Sequence, residues 1–178
     1  SSCFFLQMQP EVIAFTQQWG KNLPRISLGS SSPEAKPIVA MSRFIDFADL
    51  IDETPKEQLL VVQFTSRYCK ACQRTMMHYK KLDRKESKVQ FAILDCTKMN
   101  HITLKKLGVT SFPVVQVWRD GKFVSSFRSI EDYSKNLKKI VKTSKKRSKK
   151  EWENFWEENA AKVTETIEVL EEIKQREL

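Results

Sequence analysis

Two cysteines separated by two residues are the part of this sequence best suited to chemistry. Cys69 and Cys72 form a Cys-Lys-Ala-Cys motif, whereas Cys3 and Cys96 stand alone. Such a pair can exchange electrons as a dithiol and disulfide, or can supply two thiolate ligands to zinc. Zinc would need further ligands, and the sequence has neither a second such motif nor closely spaced histidines. The motif therefore predicts redox chemistry with no metal and no cofactor.

The segments around the motif alternate between strand and helix patterns, which predicts an α/β domain. A continuous apolar run at residues 59–64 ends shortly before the motif and is typical of a strand buried on both faces. A helical pattern follows the motif, and Val89–Asp95 predicts a second buried strand. Residues 119–121 (Arg-Asp-Gly) predict a hairpin turn between two further strands, and residues 130–141 predict a closing helix. The motif thus lies where a buried strand is followed by a helix.

Three separated features of this pattern together resemble the thioredoxin superfamily. They are the strand leading to the motif at residues 62–69, the Thr-Ser-Phe-Pro segment at residues 110–113, and the Asp120-Gly121 hairpin. The resemblance covers somewhat over half of the chain. It implies a thioredoxin fold, in which helices flank a central mixed β-sheet. The Tyr-Cys-Xaa-Xaa-Cys-Gln form of the motif is most similar to plastid thioredoxin-like proteins.

The resemblance implies roles for five residues. Cys69 lies at a helix N-terminus, which stabilises a thiolate, and is implied to be the exposed attacking thiol. Cys72, one turn further in, is implied to resolve the mixed disulfide. Pro113 is implied to follow a cis peptide bond beside the cysteine pair, and Phe112 to offer backbone polar groups to an extended substrate. Tyr68 occupies the position of the family's aromatic residue before the first cysteine, which makes it the third implied substrate-binding residue.

The sequence departs from the family pattern close to the motif. Gln63 stands where efficient thioredoxins keep a buried acidic residue that moves a proton from the resolving thiol, and an amide cannot ionise. Lys70-Ala71 replaces the usual Gly-Pro, and Lys70 should favour the thiolate and therefore a more oxidising couple. Together with Arg67, Lys70 predicts a basic rim around the site. We therefore expect an atypical thioredoxin with residual or specialised redox activity.

Composition divides the chain into three predicted regions. Residues 1–41 are expected to be an N-terminal extension and linker, with a short amphipathic helix carrying the apolar residues between Phe4 and Trp19. Residues 42–142 are expected to form the thioredoxin-like domain, with Ser42 capping its first helix. Residues 143–178 are expected to be a basic linker followed by one amphipathic C-terminal helix.

The C-terminal region changes the sign of its charge along the sequence. Between Lys135 and Lys150 there are nine basic residues and no acidic one, whereas residues 151–178 contain nine acidic and three basic residues. The basic run predicts either a contact with an anionic surface, such as RNA or lipid headgroups, or a solvated connection between two helices. An anionic contact should weaken steeply as salt is added.

Apolar residues recur at three- and four-residue steps in the acidic segment, which predicts an apolar stripe on a helix. The stripe must be buried, either by folding back on the domain or by docking on another protein. We expect docking on a protein partner, because helices of the fold normally cover its own faces. The predicted partner-binding residues are Trp152, Phe155, Trp156, Val163, Ile167 and Leu170.

Two functions from different classes are compatible with the sequence, and of these we favour the first. In the first, the chain is anchored in a large multisubunit organellar assembly through its extensions and has specialised redox activity at Cys69 and Cys72. In the second, it is a free thiol–disulfide oxidoreductase of an organelle. The net charge of +9 favours anionic neighbours, and no apolar run approaches the ~20 residues of a membrane span. The family resemblance and an acid-poor start favour a plastid over a mitochondrion.

Overall fold

The computed structural model describes residues 37–177. The helix expected between Phe4 and Trp19, and almost all of the expected linker, lie outside this range. Along the described chain, the elements are β1 (Val39–Met41), α1 (Phe44–Glu53), β2 (Leu59–Thr65), α2 (Lys70–Asp83), β3 (Val89–Asp95), α3 (His101–Lys106), β4 (Val114–Arg119), β5 (Lys122–Phe127), α4 (Tyr133–Lys146), α5 (Lys149–Glu158) and α6 (Ala160–Glu177).

The five described strands form one mixed sheet in the order β1-β3-β2-β4-β5. β1 and β2 run parallel to β3, whereas β4 runs antiparallel to both β2 and β5. The central strand β2 is buried along its first six residues, which explains its continuous apolar run. The β4–β5 hairpin closes at Asp120 and Gly121, whose φ angles of 52° and 73° suit the tight turn that the Asp-Gly pair predicts.

β1 lies on the N-terminal side of the domain boundary that the sequence places at residue 42. Val39, Ala40 and Met41 pair in register with residues 92–94 of β3, so the sheet begins earlier than expected. Three residues are too few for a recognisable strand period, which is why the pattern does not reveal it. The first helix also begins later than expected. Arg43, rather than Ser42, is its N-cap, and the Arg43 guanidinium pairs with Asp46 in the first turn.

Helices cover both faces of the sheet and enclose two apolar cores. On one face, which we call the α1 face, Leu60, Val62 and Phe64 of β2 pack with residues of α1, α3 and α6. On the other, which we call the α2 face, Leu59 and Val61 pack with residues of α2, α4 and α5. The alternation along β2 therefore sends each side chain into one of two separate cores.

The C-terminal extension is built from two helices rather than the single helix expected. α4 continues to Lys146, and only Arg147 and Ser148 separate it from α5, so the expected basic linker is largely helical. Ser148 and Glu151 form a capping box at the start of α5. α5 contributes to the core of the α2 face and α6 to the core of the α1 face. The extension therefore passes from one face of the sheet to the other.

This packing corrects the expectation that the apolar stripe docks on a partner. Trp152, Val163 and Leu170 are only 4%, 7% and 4% exposed, because they lie inside the chain's own domain. Phe155 and Trp156 are half-buried against the core of the α2 face, and Ile167 alone of the six is exposed. The physical reason is that α6 covers part of the α1 face of the sheet. The period of the apolar stripe shows that one side of the helix is buried, but it does not show which surface buries it. Among the helices described, none combines the length and apolar character required to cross a bilayer.

Candidate redox site

The Cys-Lys-Ala-Cys motif lies where β2 is followed by α2. Cys69 is the N-cap of α2 and Cys72 belongs to its first turn. The two residues are joined by a disulfide, with their Cα atoms 5.3 Å apart. Cys69 is half-buried, whereas Cys72 is 1% exposed. Of the two residues, Cys69 is therefore the one that is accessible to a partner in solution.

The backbone at the start of α2 forms a hydrogen bond to the sulfur of Cys69. The backbone N–H of Cys72 donates to Cys69 Sγ over 3.0 Å. No acidic residue lies in the first turn of α2, and Lys70, its first residue, is exposed. Free N–H groups, the helix dipole and a nearby cation all favour negative charge. After reduction, this environment stabilises a thiolate at Cys69.

A polar cluster anchors the loop before the motif to the end of β3. Arg67 Nε donates to Asp95 Oδ2 over 2.7 Å, and the Arg67 backbone N–H donates to Thr97 Oγ1 over 2.9 Å. Burial alone would raise the pKa of Asp95, but hydrogen bonds from Thr97 and Arg67 outweigh it and hold that pKa below its usual range. Because Arg67 is paired with Asp95, the basic rim expected at the motif depends mainly on Lys70 and Arg74, both exposed.

A buried glutamine lies beneath the motif on the α2 face. Gln63 is fully buried and its Oε1 accepts a hydrogen bond from the Tyr133 hydroxyl over 2.5 Å. The buried Nε2 of Gln63 has no hydrogen-bond partner among the described residues. Burial raises the pKa of Tyr133 far above its ordinary value, so this phenol stays neutral. Neither side chain can accept a proton from a thiol near neutral pH.

The position of Gln63 relative to Cys72 follows from the packing of α2 on β2. The Tyr79 hydroxyl of α2 is 2.7 Å from the carbonyl oxygen of Val61 on β2. Cys72 lies about 10 Å back along the helix from Tyr79, at 1.5 Å per residue. Gln63 lies about 7 Å further along the strand from Val61, at 3.3 Å per residue. Since α2 runs back along β2, Gln63 is placed beneath the first turns of α2.

The implied substrate-binding residues come to the same end of the sheet as the motif. The Phe112–Pro113 peptide is cis, the isomer that the resemblance implies. Val114 pairs with Phe64, so the preceding Pro113 is next to the end of β2 that leads to the motif. Pro113 is buried and Phe112 half-buried, whereas Tyr68 is 86% exposed immediately before Cys69. Their role in binding remains a prediction.

Sequence reasoning missed three polar residues of this region. Asp95, Thr97 and Tyr133 contact the motif loop or Gln63 from positions 28 to 70 residues away in the chain. The one available signal is that Asp95 ends a buried strand, where polar side chains often meet a neighbouring loop. Cys96 is 4% exposed, and burial raises the pKa of its thiol to about 12. This thiol stays protonated, which disfavours a redox role for Cys96 beside the pair.

Comparisons with known proteins agree with this geometry. The sequence model of the family described as Thioredoxin matches residues 39–145. Thioredoxin F1, chloroplastic, of Arabidopsis thaliana is 32% identical over 68 residues, which cover 38% of this chain and 38% of that relative. Thioredoxin 1 of Plasmodium falciparum is 24% identical over 86 residues, which cover 48% of this chain and 80% of that relative. The chain thus spans well under half the length of the Arabidopsis relative.

Solved structures agree on the fold. The thioredoxin of Fasciola hepatica superposes with a TM-score of 0.54 at 25% identity, over 60% of this chain and 99% of that one. The short form of spinach chloroplast thioredoxin f gives a TM-score of 0.54 at 19% identity, over 60% of this chain and 93% of that one. The fold predicted from the sequence is therefore confirmed. The family match ends at residue 145, so α5 and α6 follow the shared region.

Proposed function

The chain belongs to the thioredoxin family, and on that premise we propose that it is a thiol–disulfide oxidoreductase acting on protein substrates. The observation that carries the proposal is the Cys69–Cys72 disulfide at the start of α2, with the first cysteine accessible and the second buried. This asymmetry suits one thiol that meets the substrate and one that resolves the intermediate.

The proposed reaction conserves atoms and electrons. The Cys69 thiolate attacks one sulfur of a substrate disulfide, that S–S bond breaks, and one substrate thiolate leaves. The Cys72 thiolate then attacks Cys69 Sγ, releases the second substrate thiolate and forms the Cys69–Cys72 disulfide. Two electrons pass to the substrate, whose thiolates take up protons from water. A dithiol reductant must then restore the reduced pair.

The residues around the pair favour a specialised activity rather than that of a general reductase. Lys70 and the Cys72 backbone N–H stabilise the Cys69 thiolate, and therefore the reduced form. A stabilised reduced form makes the couple more oxidising. Gln63 and Tyr133 offer no proton acceptor beneath the resolving cysteine, so resolution of the mixed disulfide should be slow near neutral pH. Tyr68, Phe112 and Pro113 are proposed to contact the substrate.

An anchored role through the C-terminal extension would need a free apolar surface on that extension. Trp152, Val163 and Leu170 are buried within the chain, and Ile167 is the exposed member of the stripe. This leaves the C-terminal helices little apolar area for a partner. We therefore propose the free oxidoreductase in preference to the anchored subunit.

A plastid is the proposed location. Its support is the 32% identity to a chloroplastic thioredoxin of Arabidopsis thaliana over 68 residues. The test is to express the full-length protein with a fluorescent tag in its source organism. Signal inside plastids supports the proposal, and signal confined to another compartment contradicts it.

The redox function is tested by following dithiothreitol-driven reduction of insulin disulfides with the full chain. We expect the wild type to accelerate the reaction, and Cys69→Ser to abolish the acceleration. Cys72→Ser should instead accumulate a mixed disulfide between Cys69 and the substrate, visible by mass spectrometry. Cys96→Ser is the matched control and should keep the wild-type rate, because Cys96 is a buried free thiol that is not joined to the pair. A Cys69→Ser protein that keeps full activity would overturn the proposal.

A further inference from the structure

The two helix layers that enclose the sheet carry opposite charge. On the α2 face, the helices α2, α4 and α5 together contain twelve basic and five acidic residues, and α4 has no acidic one. On the α1 face, the helices α1, α3 and α6 together contain nine acidic and five basic residues, and α1 has no basic one. The redox motif opens α2, so it belongs to the basic layer.

A row of basic side chains extends from the motif along the exposed side of α2. We call it the α2 stripe, and it consists of Lys70, Arg74, His78, Lys81 and Lys85, the last lying just beyond the helix. Its members are three or four residues apart, which places them on one side of a helix. All five are exposed. Within residues 37–177, no member of the stripe forms an ion pair with a carboxylate.

Both ends of the stripe lie in concave surface. Lys70 and Arg74 line a shallow depression beside the motif. At the other end, His78, Lys81 and Lys85 line a cleft of about 200 Å³ between α2 and α4, where Lys138 joins them. No carboxylate lines either concavity. The stripe therefore offers uncompensated positive charge from the redox motif to this cleft.

Two large apolar side chains are exposed beside the stripe, one at its motif end and one near its middle. Tyr68 precedes the motif and is 86% exposed, and Met77 precedes His78 and is 72% exposed. Aromatic residues, methionine and arginine are enriched at protein interfaces. Single-stranded nucleic acid would call for several aromatic platforms along the basic surface, and the stripe has only Tyr68 beside it. The combination fits an acidic protein better than a nucleic acid.

We propose that the α2 stripe is a docking surface for protein substrates that carry an acidic segment next to their reactive disulfide. This inference rests on the proposed oxidoreductase function and names its substrate class. From Lys70 to Lys85 the stripe is about 22 Å long, at 1.5 Å per residue. An extended segment covers that length with about seven residues. A run of about seven residues rich in Asp and Glu, lying along the stripe, directs the adjacent disulfide to Cys69.

The test compares two synthetic peptides that contain the same intramolecular disulfide. One peptide continues into seven glutamates and the other into seven glutamines. With the reduced wild-type chain at low salt, we expect the glutamate peptide to be reduced about tenfold faster or more, since electrostatic steering raises association rates by 10–10³. Added salt at 0.5 M should remove most of this advantage.

Charge reversal locates the effect. Lys81→Glu combined with Lys85→Glu leaves the motif untouched, and it should cost the glutamate peptide most of its advantage without slowing the glutamine peptide. The matched control combines Lys56→Glu with Lys105→Glu, which changes the net charge equally at exposed positions outside the stripe. We expect the control to keep most of the advantage. Equal rates for the two peptides, or equal losses in the two double variants, would overturn the docking proposal.

Two further readouts separate the possible failures. If the glutamine peptide is reduced but the glutamate peptide has no advantage, the redox function stands and the docking proposal is wrong. If neither peptide is reduced, the redox function is wrong, and fluorescence anisotropy of the labelled peptides still decides whether the stripe binds acidic segments. A third outcome would assign the α2 stripe to nucleic acid instead. In it, the chain binds a twelve-nucleotide single-stranded RNA, this binding is lost in the Lys81→Glu and Lys85→Glu double variant, and the glutamate peptide has no advantage.

Discussion

At the scale of single residues, the neutral side chains of Gln63 and Tyr133 beneath the cysteine motif limit proton transfer from the resolving thiol. Gln63 is a buried amide held by the Tyr133 hydroxyl, with its Nε2 unpartnered among the described residues. A buried donor without a partner costs about 1–3 kcal/mol. The unpartnered Nε2 of Gln63 therefore lowers the stability of the fold. Because Gln63 cannot ionise, it also provides no acceptor for the proton of the Cys72 thiol.

Gln63→Glu should supply the missing proton acceptor. A buried carboxyl has a raised pKa and titrates closer to neutrality, so resolution of the mixed disulfide should speed up by about tenfold or more above that pKa. The measurement is the rate of mixed-disulfide resolution between pH 5 and 9. Gln116→Glu is the matched control, because Gln116 is equally buried but belongs to the α1 face. A pH profile unchanged by Gln63→Glu would contradict the account.

Tyr79 joins the two central parallel strands through its hydroxyl. The oxygen is 2.7 Å from the carbonyl oxygens of both Val61 on β2 and Ala92 on β3. Tyr79→Phe should therefore lower the free energy of unfolding by about 1 kcal/mol, measured by urea denaturation. Tyr68→Phe, at an exposed position, should change it by less than about 0.5 kcal/mol. Similar effects for the two variants would contradict this role.

Asp95 makes the stability of the motif loop depend on pH. Its folded-state pKa is lowered, so its contribution to stability is complete above the unfolded pKa and is lost as the pH falls through the folded pKa. The wild type should therefore lose more stability than Asp95→Asn when the pH falls from 5 to 3. Thermal unfolding midpoints at the two pH values test this. Equal losses in both proteins would mean that the Arg67–Asp95 pair contributes nothing.

At the scale of elements, periodicity identified what is buried but not what buries it. The apolar runs predicted β2 and β3, and the Asp-Gly pair predicted the β4–β5 turn, because each of these signals is local. β1 has only three residues, and the break between α5 and α6 at Asn159 has no strong breaker in the sequence. The apolar stripe of the C-terminal extension packs through contacts of α6 with α1 and β5, and these elements are distant from α6 in the chain. At the site, the motif and Pro113 were predictable, whereas the partners of Arg67 and Gln63 were not.

Trp152 should be a principal contributor of the extension to stability. It is 4% exposed, and the guanidinium groups of Arg119 and Arg147 each lie 4.8 Å from the centre of its ring. Trp152→Ala should cost about 3–5 kcal/mol of unfolding free energy. Ile167→Ala, on the exposed part of the same extension, should cost no more than about 1 kcal/mol. A loss of less than about 1 kcal/mol in Trp152→Ala would show that packing of Trp152 on the domain contributes little to stability.

At the scale of the whole described domain, the redox motif and the start of the extension occupy opposite ends of the sheet. β2 begins at Leu59, opposite Arg119 near the hairpin turn, and ends at Thr65, just before the motif. Arg119 and Lys122 at the hairpin contact the rings of Trp152 and Trp156. Folding of the extension and redox chemistry are thus separated in space. The basic helix layer begins at the redox motif, and the α2 stripe within it is proposed to bind the acidic segment of a substrate.

This separation gives Trp152→Ala a second expected property. At a temperature where the variant is still folded, its reduction potential should match that of the wild type, because the ring of Trp152 contacts Arg119 at the hairpin and Arg147, Phe155 and Trp156 of the extension. Redox titration of both proteins side by side is the measurement. A shift of more than about 15 mV, equivalent to roughly 0.7 kcal/mol, would show that the extension tunes the cysteine pair.

The central claim is that Cys69 and Cys72 form a working redox couple rather than a structural cross-link. Its most direct test is the reduction potential of the pair, obtained by equilibrating the full chain in glutathione or dithiothreitol buffers and counting alkylated thiols by mass. We predict one two-electron transition with a midpoint more oxidising than the approximately −270 mV of thioredoxin. A midpoint below about −300 mV, typical of structural disulfides, would contradict the account.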